Sequence, residues 1–367
     1  MESLQINENR SERIIGIDLL KIVSMIMMVA LHIIGTFGII GSLENFTYKL
    51  CAVLFFPTRC AVNCYALASG FLSVNKKNKP SRILYIWIQT FVYSFLIAVL
   101  CKILFPETIA IREVAGYALP ILSVKYWYVS AYFGLFLLMP LLNEGIKQLP
   151  QKIFKILLIS VLSIISISAV LNRVVFSADP FTIGNGMTLL WLIITYLVGA
   201  YIKLYGKPLT DISLAILIPV FVLVNAINIT IYFICASRGL NYKFIYYYDF
   251  PTVLISSLCL FLMFLKIKTI RNQFFKKIII SFSTATLGVY LLHIHPLVYD
   301  NLLVKLNFIV KYNNVKFILL LFAAVFGVYI LCSLIDIVRA YIFKIIKIDS
   351  LCKRIDKNFG GKNDIKQ

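Results

Sequence analysis

The chain has 367 residues, of which 60% are hydrophobic, and its mean hydropathy is +0.89. Soluble globular proteins do not have this composition, so we predict an all-α polytopic membrane protein. The net charge of +20 would suit a nucleic-acid-binding protein. The basic residues are instead concentrated in the segments predicted on one side of a membrane. We therefore expect the lipid bilayer, and no nucleic acid, as a partner.

Ten apolar runs approach or exceed the length needed to cross a bilayer core about 30 Å thick, which predicts about ten transmembrane helices. The runs cover residues 14–40, 49–74, 82–105, 125–142, 153–171, 187–204, 212–235, 250–266, 278–299 and 316–346. With a cytoplasmic N terminus, most lysine and arginine residues fall in cytoplasmic segments, which predicts that both termini are cytoplasmic. We expect a polar tail over 1–12, a transmembrane domain over 13–347 and a basic cytoplasmic tail over 348–367, in a multi-pass protein of the cell membrane.

The first run contains the stretch DLLKIVSMIMMVALH, residues 18–32. Lys21 and His32 are eleven residues apart, which places them on nearly the same helix face, roughly 16 Å apart along the axis. Asp18 joins Lys21 at spacing i+3. Such groups are costly in a bilayer, so this polar stripe is predicted to face a cavity or another helix.

The second run contains FFPTRCAVNCYALASGFL, residues 55–72. Pro57 is predicted to break or kink the helix. Arg59 lies at about the depth of His32, and its guanidinium must be compensated there by an anion or by carbonyl groups. The two side chains are therefore expected to be able to meet.

The fourth run begins with the aromatic residues Trp127 and Tyr128 in the stretch YWYVSAYFGLFLLMPLL. Two interpretations stay open for these rings. They suit the aromatic belt at a membrane interface, and they also suit stacking against the apolar face of a sugar.

The ninth run ends with His293 and His295 in the stretch TLGVYLLHIHPLV. With His32, these are the three histidines of the chain, and all three are predicted to lie at one depth. Ionisable groups inside a membrane are usually functional, which favours a catalytic site. The eight cysteines form no CxxC pair, so we predict neither a metal site nor a disulfide framework.

These four stretches, in this order and spacing, resemble the integral-membrane acyltransferase family 3, whose members transfer acyl groups, commonly acetyl, to carbohydrates and other acceptors at the cell envelope. The resemblance covers the chain from about Arg13 to Arg339. The family signature of an arginine followed after ten residues by a histidine maps onto Lys21 and His32, so lysine replaces arginine. The other motif residues of the family map onto Arg59, Trp127, Tyr128 and His293.

The resemblance implies a membrane O-acetyltransferase. It would move an acetyl group from acetyl-CoA, used as a substrate and not held tightly as a cofactor, to a hydroxyl group of a cell-envelope or exported polysaccharide or a lipid-linked saccharide. The stretch HIHPLVYD resembles the polysaccharide-modifying members. His32 would act as general base or carry the acyl group briefly, and Arg59 or His293 would stabilise the oxyanion. The donor would bind at Lys21, Lys76, Lys77 and Arg82, and the acceptor at Trp127, Tyr128 and His295.

Two other functions are compatible with the same residues. A transporter or flippase would use the buried charges as a gate or a proton relay, although no internal repeat is evident. A non-enzymatic partner in polysaccharide assembly would not need His32 for O-acetylation. Consumption of acetyl-CoA that depends on a glycan acceptor distinguishes the enzyme from both alternatives.

Overall fold

The computed structural model describes residues 13–38, 40, 42–105, 107, 110–171, 175 and 178–359. The predicted tail over 1–12, and residues 360–367 of the predicted tail over 348–367, lie outside these described residues. Every regular element in the described ranges is a helix, which confirms the predicted all-α fold class.

The helices are numbered in chain order. Their bounds are α1 (Ile15–Thr36), α2 (Phe46–Thr58), α3 (Ala61–Ser73), α4 (Pro80–Leu104), α5 (Ile111–Ala118), α6 (Trp127–Gln148), α7 (Gln151–Leu171), α8 (Leu189–Tyr205), α9 (Lys207–Thr210), α10 (Leu214–Ser237), α11 (Pro251–Leu265), α12 (Gln273–His293), α13 (Pro296–Val298), α14 (Asn314–Ile345) and α15 (Ile348–Phe359).

The membrane-spanning segments correspond to the ten predicted runs. Among the described residues, nine segments are long and apolar enough to cross a membrane, and α8 is a shorter apolar helix. The second run is one segment made of α2 and α3. The chain is therefore a multi-pass membrane protein, and the cytoplasmic location of both termini stays a prediction from the basic residues.

Helices α1 and α12 lie side by side and run in the same direction. Asp18 accepts a hydrogen bond from the Ser283 hydroxyl group near the start of α1, and His32 contacts His293 near the ends of both helices. We call the side of the bundle on which α1 begins the N-terminal face, and the side on which α1 ends the opposite face. Parallel packing of these two helices brings both histidines toward the opposite face.

The second spanning segment is interrupted at Arg59 and Cys60, between α2 and α3. Pro57 has no N–H group to continue the helical hydrogen-bond ladder, and its ring crowds the preceding turn. The Arg59 N–H group instead donates to the carbonyl of Phe56, three residues earlier, at 3.1 Å. The break predicted at Pro57 therefore sets the position of Arg59.

Residues 348–359 of the predicted C-terminal tail form the helix α15, which packs against the start of α4. The Asp356 carboxylate accepts hydrogen bonds from the backbone N–H and the hydroxyl group of Ser81, at 2.8 and 2.6 Å. These bonds lower the pKa of Asp356 from its ordinary value. A carboxylate at a helix N terminus also interacts favourably with the helix dipole, so α15 is attached to the N-terminal face.

Helices α3 and α8 approach closely because each has a glycine at their crossing. A side chain at Gly70 would overlap the carbonyl of Tyr196, and one at Gly199 would overlap the carbonyl of Leu67. Small residues at such crossings let backbones pack closely inside a membrane. This contact fixes α3, which follows Arg59, against α8.

We expect Gly199→Ala to destabilise the protein by about 1–3 kcal/mol, because the added methyl group meets a backbone carbonyl that cannot move aside. Gly327→Ala in α14 is the matched control, since a side chain there meets no atom within 4 Å. Thermal unfolding of the purified protein measures both variants. Equal melting temperatures for the two variants would contradict this account of the α3 and α8 contact.

Candidate active site

The site is built around a direct contact between two histidines on different helices. His32 lies one turn before the end of α1, and His293 is the last residue of α12. His32 Nδ1 and His293 Nε2 are 2.9 Å apart. The structure therefore brings together two residues that are 261 positions apart in the sequence.

The position of His293 follows from the sequence around the end of α12. Asn272 caps the start of the helix by accepting hydrogen bonds from the N–H groups of Phe274 and Phe275. Pro296 disfavours a helical conformation at the residue before it, and His295 is extended with ψ 126°. The helix consequently ends at His293, next to His32.

The hydrogen-bond partners assign the protons of the two imidazole rings. His293 Nδ1 is 2.6 Å from the carbonyl oxygen of Val289, which can only accept, so Nδ1 carries a proton. In the neutral ring, His293 Nε2 then accepts, and the donor is the Nδ1–H group of His32. The lone pair of His32 is therefore on Nε2, where it is available to a reacting group.

The two rings differ in their exposure. His293 is 1% exposed, whereas His32 is partly exposed. The Tyr299 ring packs edge-on against the His32 ring with a centroid distance of 6.3 Å. His293 is thus fixed inside the protein, and His32 is the member of the pair that a substrate can reach.

Arg59, at the break between α2 and α3, is compensated by a carbonyl group and aromatic rings. Its Nε–H group donates to the carbonyl oxygen of Tyr246 at 2.6 Å. Its guanidinium carbon lies 4.5 Å from the centroid of the Tyr248 ring and 5.2 Å from that of Tyr246. No carboxylate forms a salt bridge with it in the described ranges, and its charge acts on His32. A carbonyl oxygen and the faces of aromatic rings therefore hold the Arg59 guanidinium in place of a carboxylate.

Trp127 and Tyr128 are neighbours in sequence but contribute to different parts of the site. The Trp127 ring stacks on Tyr248 with a centroid distance of 5.9 Å and an interplanar angle of 21°. The Tyr128 ring stacks on Tyr132, with centroids 6.4 Å apart. Trp127 thus supports the ring beneath Arg59, whereas Tyr128 lines the cavity described next.

A cavity of about 310 Å³ runs from the N-terminal face toward the histidine pair. Three cations line its outer part: Arg13, Lys21 and Arg82. Met28 and Tyr290 line its inner part, one helical turn before His32 and His293 respectively. The cavity therefore ends just short of the histidines.

The charges at the mouth of the cavity leave Lys21 without a counterion. Arg13 forms a two-point salt bridge with Asp18, at 2.6 and 2.9 Å, so Asp18 pairs with Arg13 and not with Lys21. The Lys21 ammonium group forms no ion pair or hydrogen bond within the described part of the chain. An unpaired cation in this position provides a site for an anionic ligand.

The other predicted donor-binding lysines are not among the residues that line the cavity. Partial burial and the nearby charges of Arg82 and Lys203 lower the pKa of Lys76 from its ordinary value. Because Arg82 lines the mouth of the cavity, Lys76 lies close to that mouth. Lys77 is exposed on the same side of the bundle. Both lysines can attract an anion toward the cavity without contacting it inside.

His295 has both ring nitrogens occupied by the protein. Its Nε2–H group donates to the carbonyl of Ser94 at 3.1 Å, and its Nδ1 accepts from the N–H group of Leu297 at 3.2 Å. The ring is 0% exposed and stacks on Tyr117 with a centroid distance of 5.0 Å. These contacts join the end of α12 to α4 and α5, which favours a positioning role over the contact with the acceptor that the resemblance implied.

Arg13 and Tyr290 are among the residues of the cavity that were not identified from the sequence. Arg13 precedes the first apolar run, and Tyr290 lies at i−3 from His293 on the same helix face. The Tyr290 side chain is buried, and its O–H group donates no hydrogen bond to any of the described residues. The helical spacing from His293 is the signal that could have identified Tyr290.

A comparison with protein-family models matches residues 14–337 of the chain to the acyltransferase domain of acyltransferase family 3. Searches of the curated proteins and of the solved structures found no match. The matched range covers all ten predicted spans except the last residues of α14. It includes the histidine pair, Arg59 and every residue that lines the cavity except Arg13. The chain therefore belongs to acyltransferase family 3 and is a membrane acyltransferase.

Proposed function

We propose that the protein is an O-acetyltransferase that moves an acetyl group from cytoplasmic acetyl-CoA to a hydroxyl group of a cell-envelope or exported polysaccharide. The observation that carries this proposal is the histidine pair, in which His32 Nε2 keeps the lone pair of the ring, one helical turn beyond the inner end of a cation-lined cavity. The distribution of basic residues supports a cytoplasmic location for the N-terminal face, and with it for the mouth of the cavity.

The cavity suits the extended shape of an acyl-CoA. Its volume is about 310 Å³, near the lower end of small-molecule sites, which span roughly 300–1,000 Å³. It has room for the acyl-pantetheine arm, and the phosphates of the nucleotide remain at the mouth near Arg13, Lys21 and Arg82. The thioester carbon is then delivered to the inner end, beside Tyr290.

His32 is proposed as the group that activates the acceptor. Its Nε2 takes the proton from the acceptor hydroxyl group as that oxygen attacks the thioester carbonyl. The C–S bond then breaks, an O-acetyl ester remains, and the coenzyme A thiolate leaves with the proton that His32 held. In the alternative route, Nε2 attacks the thioester first, the C–S bond breaks and coenzyme A is released as its thiolate. The acceptor hydroxyl then attacks the acetyl group on Nε2, the N–C bond breaks, and the hydroxyl proton neutralises the thiolate.

Tyr290 and Arg59 are proposed to stabilise the charge that forms on the carbonyl oxygen. The Tyr290 hydroxyl group is a buried donor that meets no acceptor among the described residues. Tyr290 lines the inner end of the cavity. Arg59 adds a positive charge whose field reaches His32. His293 Nε2 accepts from His32 in this arrangement, so His293 positions His32 and does not donate to the oxyanion.

The test is to supply purified protein in lipid nanodiscs with acetyl-CoA and the polysaccharide of a strain that lacks the gene. We expect release of free coenzyme A thiol that depends on the polysaccharide, together with O-acetyl groups on the recovered glycan. Absence of thiol release with an intact, folded protein would contradict the proposal and favour the transporter or assembly functions.

Lys21→Ala is expected to raise the KM for acetyl-CoA roughly tenfold, because a hydrogen bond from a charged group contributes about 1.5–3 kcal/mol. Lys21→Arg keeps the charge and should recover much of the affinity. Lys155→Ala, an exposed lysine of α7 that does not line the cavity, is the control and should have the KM of the wild type. The dependence of the initial rate on acetyl-CoA concentration measures all three variants, and an unchanged KM for Lys21→Ala would contradict donor binding there.

Tyr290→Phe is expected to lower kcat about 10²-fold with little change in KM, as with the loss of one oxyanion donor. Phenylalanine preserves the ring contacts with Tyr126 and His293. Tyr329→Phe is the matched control, since the Tyr329 hydroxyl group is also buried without a partner among the described residues, and Tyr329 does not line the cavity. If both variants lose activity equally, Tyr290 has no specific part in the chemistry.

A further inference from the structure

Arg82, one of the three cations at the mouth of the donor cavity, lies in the first turn of α4. Its side chain is exposed, and its charge acts on Lys21 of α1. A long side chain on a frayed helix end loses more conformational entropy when it binds a ligand than one on a fixed turn. The contribution of Arg82 to donor binding therefore depends on how firmly the first turn of α4 is held.

The sequence around the start of α4 provides a weak beginning for this helix. Lys79 occupies the N-cap position, where its side chain has no acceptor atom for the helix N–H groups. Pro80 has no N–H group, and the Arg82 N–H group donates to the Lys79 carbonyl at 2.9 Å. The N–H group of Ser81 consequently needs an acceptor from another part of the chain.

Asp356 of α15 is that acceptor. One of its carboxylate oxygens accepts from the Ser81 N–H group at 2.8 Å, and the other accepts from the Ser81 hydroxyl group at 2.6 Å. Hydrogen bonds to an ionised carboxylate are stronger than those between neutral groups. Asp356 thus caps α4 as an N-cap aspartate caps its own helix, and the residue that it holds is the neighbour of Arg82.

Asp356 is presented to α4 from a packed helix. Cys352 lies one turn before it on the same face of α15 and is 2% exposed. Lys347 has a left-handed conformation, with φ 59°, and turns the chain from α14 into α15. The position of α15 therefore follows from the position of α14.

α14 is in turn fixed to α4 by a buried ion pair. Arg339 Nη2 donates to both carboxylate oxygens of Asp336, at 2.8 and 2.9 Å. Asp336 also accepts from Gln89 and Tyr93, at 3.0 and 2.8 Å. Arg339 Nη1 donates to the hydroxyl group of Tyr85 at 2.7 Å. The three partners on α4 are spaced by four residues along one face, so these bonds fix the rotation of α4 about its axis and leave its first turn to Asp356.

We infer that α15 is a positioning element of the donor site and that Asp356 acts on donor binding through Ser81 and Arg82. This inference rests on the proposed function, because it concerns the binding of acetyl-CoA. Asp356 is not among the residues that line the donor cavity, so it is a positioning residue. Without its carboxylate, the first turn of α4 loses its cap, and the Arg82 guanidinium is held less firmly at the mouth.

The sign of the effect separates positioning from simple electrostatics. A carboxylate near the mouth repels the phosphates of coenzyme A, so its loss by charge alone would strengthen binding. Loss of the cap would weaken binding. Asp356→Ala therefore changes the affinity in opposite directions under the two explanations.

Isothermal titration calorimetry of coenzyme A with the full-length protein in lipid nanodiscs tests the inference. We expect Asp356→Ala to raise the Kd about three- to tenfold, as for the loss of a helix cap. Asp356→Asn keeps an oxygen that can accept from the Ser81 N–H group, so it should bind more tightly than Asp356→Ala. Arg82→Ala should raise the Kd about tenfold. The double variant should bind no more weakly than Arg82→Ala, because Asp356 acts through Arg82.

Asp349→Ala is the control, since it removes the same charge from an exposed position of the same helix, and it should have the Kd of the wild type. The inference is overturned if Asp356→Ala binds coenzyme A as tightly as the wild type or more tightly. It is also overturned if the effects of Asp356→Ala and Arg82→Ala add in full. A wild-type protein that binds coenzyme A but transfers no acetyl group contradicts the proposed function alone, whereas a wild-type protein that does not bind coenzyme A overturns both.

Discussion

Replacing His32 by alanine should lower acetyl transfer at least about 10³-fold, because the variant lacks both the proton acceptor and any acyl carrier. The measurement is the initial rate of coenzyme A thiol release in the presence of the glycan acceptor. The KM for acetyl-CoA should change little, since His32 is not among the residues that line the donor cavity.

Thr36→Ala is the control for this substitution. Thr36 lies one turn after His32 on α1, and its hydroxyl group donates to the carbonyl of Ile33 within the same helix. The Thr36→Ala variant should release coenzyme A thiol at the rate of the wild type. A His32→Ala rate within a factor of ten of the wild type, at equal thermal stability, would remove His32 from the mechanism.

Replacing His293 should lower kcat about 10²- to 10⁴-fold, because His32 would lose the acceptor that holds its proton on Nδ1. The expected effect depends on the replacement. Glutamine offers an amide oxygen that can accept from His32, whereas phenylalanine fills the space without an acceptor. His293→Gln should therefore be clearly more active than His293→Phe.

The pH dependence of kcat distinguishes this positioning role from simple packing. Loss of the partner changes the basicity of His32, so the pH profile of His293→Gln should be displaced relative to the wild type. Equal activities for the glutamine and phenylalanine variants, with an unchanged pH profile, would show that His293 contributes packing only.

Much of the fold was predictable because a bilayer imposes a simple rule on sequence. Each spanning helix needs a long, predominantly apolar run, and all ten runs correspond to observed helices. The break near Arg59 was also predictable, since Pro57 interrupts the hydrogen-bond ladder of its own helix whatever the helix packs against. The helix over 348–359 was less evident, because its apolar residues are few and it lies beside the bundle.

The site was predictable in position but not in detail. Equal depth in the membrane indicated that His32 and His293 could meet. The proton positions could not be predicted, because they depend on which carbonyl and which ring lie nearby after the helices pack. The partners of Asp18 and His295 also depend on how the helices pack, so they could not be predicted. Asp18 pairs with Arg13, and the two ring nitrogens of His295 bond to groups from α4 and α13.

In the structure, two arginine residues accompany the lysine that replaces the family's arginine on the first span. Lys21 loses the two-point binding that a guanidinium offers to a phosphate. Arg13 and Arg82 line the same cavity and supply guanidinium groups near it. We therefore expect the donor phosphates to be recognised by the three cations together and not by the first-span cation alone.

The most direct test is to delete the gene and compare the O-acetyl content of the envelope polysaccharide by NMR. We predict that an O-acetyl signal disappears in the deletion strain and returns with the wild-type gene. It should not return with the His32→Ala variant expressed at the same level. An unchanged O-acetyl signal after deletion, or full recovery with His32→Ala, would contradict it.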